Sequence, residues 1–439
     1  MINLLRRTSI TLTTAIAAVL CTAWCAQAEL IDLDKFDLSL LMYARAEQIV
    51  KSDIRPEMGY PDVRDMNILD RGLYTVVGGR LGLSALLTER FSGYVCFDGH
   101  IWTQPVGEFQ PRSITEVTSG GVHEAWARVA FGDIERKPFV LTGGLFNYRY
   151  ATQMRDLGEY LFRSGVYPGY VFSGSEGYEL LGLWLKSTAI PNMTHELFFT
   201  SIINEVPNFD LSPSYVGHVN IADVVTVGAG IMFSRLISVR EEYTTPDSAI
   251  TPIAREYVEG HGNVQYTHRG IKVMGRIAID PKPLFNARLF GPEDLKLYAE
   301  AALLGTKNYP KYYEEPAERI PVMFGFHFPC FKLLDVLAIE FEYYGTQYMN
   351  DPYNNGVPIP GISRGEEAPS TDLEDHPGDA DNWKWAIVAE KTIIDHLTFS
   401  AIAARDHYRI EDGNGYYQPH ELTVMPGQWY WGLGLKASF

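Results

Sequence analysis

Alternation of apolar and polar residues over segments of about ten residues constrains this chain more than any other feature. In the segment 36–48, Phe36, Leu38, Leu40, Met42, Ala44 and Ala46 fall on one side. Asp37, Ser39, Tyr43, Arg45 and Glu47 fall on the other. The segment 73–88 sets Val77, Gly79, Leu81, Leu83, Ala85 and Leu87 against Tyr74, Arg80, Gly82, Ser84 and Thr88. After a turn at Glu89-Arg90, Phe91, Val95, Phe97 and Ile101 oppose Ser92, Tyr94, Asp98 and His100. Successive side chains of a strand point to opposite faces, so each segment has one apolar and one polar face. A water-soluble sandwich would share that alternation, and the spacing of the segments decides between the two.

Short connections fall near 88–91, 132–138, 190–193, 234–235, 331–335 and 395–396. Long ones fall near 49–72, 105–121, 150–177, 206–221, 241–263, 307–318, 349–381 and 411–425. The segment 280–294 is an exception, long where a short turn is expected. Short turns at one rim and long loops at the other are the mark of a transmembrane antiparallel up-and-down β-barrel, whereas a sandwich has no reason to sort its loops. The expectation is an all-β barrel of about 16 strands with short periplasmic turns and long extracellular loops. Its later strands are read at 178–190, 194–205, 223–233, 236–243, 264–279, 295–306, 319–330, 336–347, 383–394, 397–408 and 427–439.

The N-terminus reads as a secretory signal over 1–28. Arg6 and Arg7 precede an apolar core from Ile10 to Trp24, and Ala26-Gln27-Ala28 gives the small-x-small cleavage pattern. The barrel then occupies 29–439. Cys21 and Cys25 leave with the signal, and Cys96 and Cys330 are too few for a disulfide framework. A net charge of -17 argues against a nucleic-acid partner. Beyond residue 28 no apolar run approaches a helical membrane span.

The chain ends on its most specific segment. Trp429, Trp431, Leu433, Leu435, Ala437 and the final residue Phe439 share one face, with Gln428, Tyr430, Lys436 and Ser438 on the other. In this the chain resembles Gram-negative outer-membrane β-barrels, which end in an alternating strand with a terminal aromatic. The resemblance implies an outer-membrane location among lipid and lipopolysaccharide. It also implies that Trp431, Leu433, Leu435 and Phe439 form the signal read by the barrel-assembly machinery.

Between the fifth and sixth strands, the segment 150–177 places Met154, Leu157, Leu161 and Phe162 at roughly helical spacing, ended by Gly165 and Pro168-Gly169. A helix-bearing loop at this place resembles the general, 16-stranded and trimeric porins, whose third external loop folds inward to narrow the pore. Their acidic Pro-Glu-Phe-Gly-Gly type motif is absent here. The resemblance implies a constriction with Asp156 and Glu159 as its acidic side and Arg45, Arg80 and Arg128 as its basic side, and implies a homotrimer. Opposed charges across a narrow aperture orient polar solutes and filter ions.

Further polar-face residues are expected to line the pore: Asp98, His100, Lys272, Arg276, Lys296, Glu340 and Glu342, with His268 in the row of Lys272 and Arg276. Asp98 and His100 alone do not make a metal site, and Asp375, Asp379 and Asp381 lack calcium-loop spacing. No Walker A, His-Glu-x-x-His or Gly-x-Ser-x-Gly motif occurs, so neither a cofactor nor an enzymatic step is expected. The sequence therefore points to a porin-like channel for passive diffusion of small polar solutes or ions. The alternative is a plugged barrel that anchors or scaffolds a larger outer-membrane complex through loops such as 49–72, 241–263 and 349–381.

Overall fold

The computed structural model describes residues 35–50, 73–103, 118–163, 177–202, 209–239, 254–307, 315–345, 383–394, 396–410, 420–423 and 429–439. The signal segment and the acidic trio Asp375, Asp379 and Asp381 lie outside them. The described strands run β1 Phe36–Val50, β2 Tyr74–Leu86, β3 Phe91–Thr103, β4 Thr118–Phe131, β5 Phe139–Tyr148, β6 Tyr178–Ser187 and β7 Met193–Ile202. They continue β8 Ser212–Ile221, β9 Val225–Ser234, β10 Ala254–Val258, β11 Gly262–Tyr266, β12 Gly270–Ile279 and β13 Leu297–Leu303. The last are β14 Pro321–His327, β15 Val336–Tyr344, β16 Trp383–Ile394, β17 Leu397–Arg405, β18 His407–Ile410, β19 His420–Thr423 and β20 Trp429–Ser438.

Sixteen of these close into one antiparallel ring in the order β1 to β9, β12 to β17 and β20, which pairs back onto β1. The ring closes at the last residue: Leu40 donates to the Phe439 carbonyl at 3.0 Å and Phe439 donates back to Leu40 at 2.8 Å. β10–β11 and β18–β19 form separate two-stranded hairpins on the long-loop side. The architecture is a closed, 16-stranded, up-and-down antiparallel barrel. Among the described residues no helix is long and apolar enough to cross a membrane.

The alternation decides which way each strand faces. Leu38, Met42, Val77, Leu81, Phe97 and Leu433 are exposed on the outside, as a lipid-facing surface requires. Tyr43, Arg45, Arg80, Asp98 and Arg128 share the opposite, inward side of β1 to β4. Aromatic residues mark both edges of the apolar band. Tyr343 packs on Trp383 at 4.9 Å near the long-loop rim, and Phe91, Phe131, Phe139 and Phe439 stand exposed near the short-turn rim. Trp126 and Trp184 point inward instead, Trp126 against Arg128 and Trp184 against Phe198.

Two strand assignments differ from the sequence expectation, and they offset each other. β8 occupies a stretch expected as loop, and 236–239 carries only a single bridge, between Leu211 and Ile237, where a strand was expected. Ser212, Pro213 and Ser214 give β8 the look of a loop. Yet Pro213 stands beside the strand's first residue, where a missing N–H costs little. The long connection expected at 280–294 runs over 280–296, with a 3-10 turn at Lys282–Leu284. The Asp294 carboxylate ties it to the neighbouring turn, accepting from Gly291 at 2.8 Å and from Cys330 and Phe331 at 3.1 Å each. Cys96 and Cys330 are both free thiols.

Leu433 is 55% exposed in the middle of β20. Leu433→Arg is expected to destabilise the barrel by about 2–4 kcal/mol, the cost of a lipid-facing arginine near mid-membrane. Denaturant unfolding in phospholipid vesicles measures this; wild-type stability would place Leu433 outside the apolar band.

Candidate pore and its inward-folded loop

After β5 the chain turns into the barrel rather than away from it. Met154, Leu157, Leu161 and Phe162 are all buried, at 0–1% exposure, in one apolar cluster with Tyr148, Tyr178 and Phe198. Phe162 meets Tyr148 and Phe198 edge-on at 5.4 Å each. Burying each such side chain stabilises the docked loop by about 1.5–3 kcal/mol before entropy is subtracted.

The expected helix is only one turn, α1 Tyr160–Arg163. Gly158 (φ +88°) and Glu159 (φ +58°) are left-handed and stop any longer helix. For Glu159 that conformation costs about 1–2 kcal/mol. Its own carboxylate offsets the cost, accepting from the N–H of Tyr150 at 2.9 Å and Ala151 at 3.0 Å and from Arg149 Nε at 2.7 Å.

This irregular backbone leaves N–H groups without helix partners, and wall carboxylates take them up. Glu340 of β15 accepts from the N–H of Arg155 at 2.6 Å, Asp156 at 2.8 Å and Leu157 at 2.8 Å, and from the Tyr298 hydroxyl at 2.7 Å. Glu300 of β13 accepts from Tyr160 N at 2.8 Å, Glu159 N at 3.2 Å and the Tyr150 hydroxyl at 2.6 Å. Glu342 accepts from the Tyr160 hydroxyl at 2.8 Å and from Lys384 Nζ at 2.8 Å. Arg155 then reaches Glu293 at 3.1 Å and Glu390 at 3.4 Å. The sequence held the signal for Glu340 and Glu342, two inward acids two apart on one strand. It did not show that Glu300 would join them, because their common partner is a loop.

These contacts correct several expectations. Asp156 and Glu159 do not face an aperture: they are 1% and 0% exposed, Glu159 bonded within the loop and Asp156 enclosed beside Asp406. Glu340, Glu342 and Lys272 point inward but are sealed from water at 0–2% exposure, so they do not line an open channel. His268 is likewise buried, and it precedes β12 rather than lying on it. Lys296 lies outside β13, paired with Glu293 at 2.6 Å. Burial raises the Asp156 carboxyl well above its ordinary range, and the Asp406 carboxyl beside it pushes the same way.

The opposite wall keeps contact with water. Arg80 Nε donates to Asp98 at 2.6 Å, and the same carboxylate accepts from Tyr43 at 3.1 Å and contacts His100 Nδ1 at 3.1 Å. Arg80, Asp98 and His100 stay partly exposed there, and Arg45 more so, paired with the buried Glu47. Arg128 lies over the Trp126 ring at 4.3 Å and donates to Thr142 at 3.1 Å. Asp98 and His100 thus belong to a charge network with Arg80, and no metal-binding cluster occurs among the described residues.

Below the loop, toward the short turns, two chambers open. One, of about 430 Å³, is bordered by Arg90, Arg128, Lys137, Trp184 and Lys186. The other, of about 520 Å³, is bordered by Arg149, Lys186, Glu196, His218, Asn220 and Arg276. Lys186 and Thr188 border both.

No protein-family model matches the chain, and no curated protein sequence matches it. Among solved structures, two triple mutants of the porin from Rhodopseudomonas blastica match over 92% of this chain and 100% of theirs, with TM-scores of 0.44 at 8% and 7% identity. A further mutant of that porin matches over the same shares with a TM-score of 0.45 at 8% identity. The architecture is carried by the strand pairing itself.

Two measurements check the loop's fastening. Glu340→Gln turns an amide toward N–H donors and removes a charged acceptor, at a cost of about 2–3 kcal/mol. Hydrogen exchange at the Asp156 and Leu157 amides is expected to accelerate roughly 30- to 150-fold by local opening. The second test concerns pH. A carboxyl whose docked pKa is raised favours docking below the ordinary carboxylate range, and that contribution is lost as pH rises through the raised value. Asp156→Asn is expected to remove that residue's share of the alkaline weakening and so to reduce it, followed by protease nicking of the loop against pH.

Proposed function

We propose that this chain is a porin-like channel of a Gram-negative outer membrane, passing small polar solutes or ions by diffusion without an enzymatic step. The observation that carries the reading is the asymmetry of the lumen. The loop packs on β5 to β7 and is bonded to β13, β15 and β16, while Arg45, Arg80, Asp98 and His100 on the arc of β1 to β3 remain partly exposed inside a closed ring. Exposed charge on an inner wall calls for water beside it, and a ring of 16 strands leaves room for an aqueous path. Arg45, Arg80 and Arg128 are then the charged lining of that path, with Asp98 and His100 tuning Arg80.

A second reading, a plugged barrel that scaffolds a surface complex, is favoured by one observation. Three wall glutamates fasten the loop, two of them by its backbone N–H groups, a strong fixing for a segment that only narrows a pore.

Planar-bilayer recording of the purified, refolded barrel separates the two. Ohmic steps are expected, and Arg80→Gln is expected to move the zero-current potential toward cation preference by removing one lumen positive charge. Lasting silence from a folded, heat-modifiable barrel would sink the channel and leave the scaffold.

A further inference from the structure

We infer that the chamber between the short-turn ends of β6 to β9 and β12 is a binding site for a small oxyanion, a phosphate or a carboxylate. The inference deepens the channel reading by naming a solute class, and it rests on that reading for how the anion arrives.

The chamber is built around side-chain nitrogens with nothing to bond. Arg276 on β12 has Nε and Nη1 enclosed without a hydrogen-bond partner among the described residues, and so has Nε2 of His218 on β8. Both border the same 520 Å³ chamber. Enclosed guanidinium N–H groups are costly to leave unsatisfied, so a site that holds two of them beside an imidazole nitrogen is suited to an acceptor from outside the chain.

The ladder explains why these groups converge. His218 pairs with Gly228, and Gly228 pairs with Arg276, so the three lie in one row across β8, β9 and β12. The middle position has no side chain. A Cβ at Gly228 would stand 2.8 Å from Arg276 Cγ and 2.9 Å from His218 Cδ2. The bare glycine therefore opens the space in which arginine and histidine turn toward each other. The Tyr150 ring, 5.7 Å from the Arg276 guanidinium, backs it from the loop side.

Charge around the chamber favours an anion as well. Glu196 borders it, but its Oε2 already accepts the Tyr148 hydroxyl at 2.6 Å. Arg149 is neutralised by Glu159. Lys186 stands opposite Glu196 in the β6–β7 ladder and makes no ion pair among the described residues, leaving its ammonium to both chambers. Arg128, Lys137 and Arg90 in the adjoining chamber, which outnumber Glu89 there, extend the positive field to the rim. The guanidinium N–H groups of Arg276, with histidine as the Nε2–H tautomer, supply charge-assisted and neutral donors for the oxygens of phosphate or carboxylate.

The test is calorimetric titration of the refolded full-length barrel with inorganic phosphate and with acetate. Saturable binding of at least one anion is expected, weakened about tenfold by Arg276→Gln and by Lys186→Gln. Lys391→Gln, on distant β16 and paired with Asp335, is expected to leave it unchanged. Heat-modifiable mobility verifies folding, and Lys186→Gln carries the test should Arg276→Gln not fold. Absence of saturable binding to the wild type, or equal binding by the wild type and a folded site variant, would overturn the inference. A barrel that binds phosphate but stays silent in bilayers would retire the channel and keep the site. A conducting barrel that binds neither anion would do the reverse.

Discussion

Lipid offers the backbone no hydrogen-bond partner, and everything else in this structure depends on that constraint. An open sheet would leave two edges of unpaired N–H and C=O groups in hydrocarbon, at several kcal/mol for each group. The ring of 16 strands removes both edges, and the final residue takes part in doing so through its bonds to Leu40. Closure fixes the facing of each wall side chain, because a one-residue slip would turn the apolar face of a strand into the lumen. The position of every lumen charge follows from it.

Inside the ring the same accounting recurs at smaller scale. The loop after β5 has too little regular structure to satisfy its own backbone, so the wall must supply acceptors. Glu300 and Glu340 do this and Glu342 takes the Tyr160 hydroxyl, and in doing so their negative charge is withdrawn from the lumen. Asp98 is held by Arg80, Tyr43 and His100, and Glu196 by Tyr148. The acids of the described lumen are thus largely bonded within the protein, while Lys186 and part of Arg276 are not. A chain with a net charge of -17 presents a basic inner chamber by sorting its charges rather than by composition.

Legibility in the sequence followed the range of the forces involved. Strand facing is local, set by period-two alternation, and Arg45, Arg80, Asp98, His100 and Arg128 were readable as inward from that alone. β8 was missed because its inward face is serine, histidine and asparagine, so its contrast with a loop is small. The helix expected over 154–162 reduced to α1 because Gly158 and Glu159 turn left-handed to present N–H groups to the wall, a choice made by partners far away in sequence. Asp156 and Glu159 looked like lumen acids for the same reason. Nothing local distinguishes a carboxylate facing water from one folded into a packed loop.

By itself, the sequence determined the all-β class, the two unequal rims, and the split between lipid-facing and inward residues, while its count of about 16 strands rested on two offsetting assignments. Each follows from the pleat of a strand and the length of a connection. Only the tertiary structure decided which inward charges meet water. That depends on where the loop lies against β5 to β7 and β13 to β16, and on a glycine in β9 that lets Arg276 and His218 share a chamber. Burial and pairing between distant strands are non-local quantities, and no window of sequence carries them.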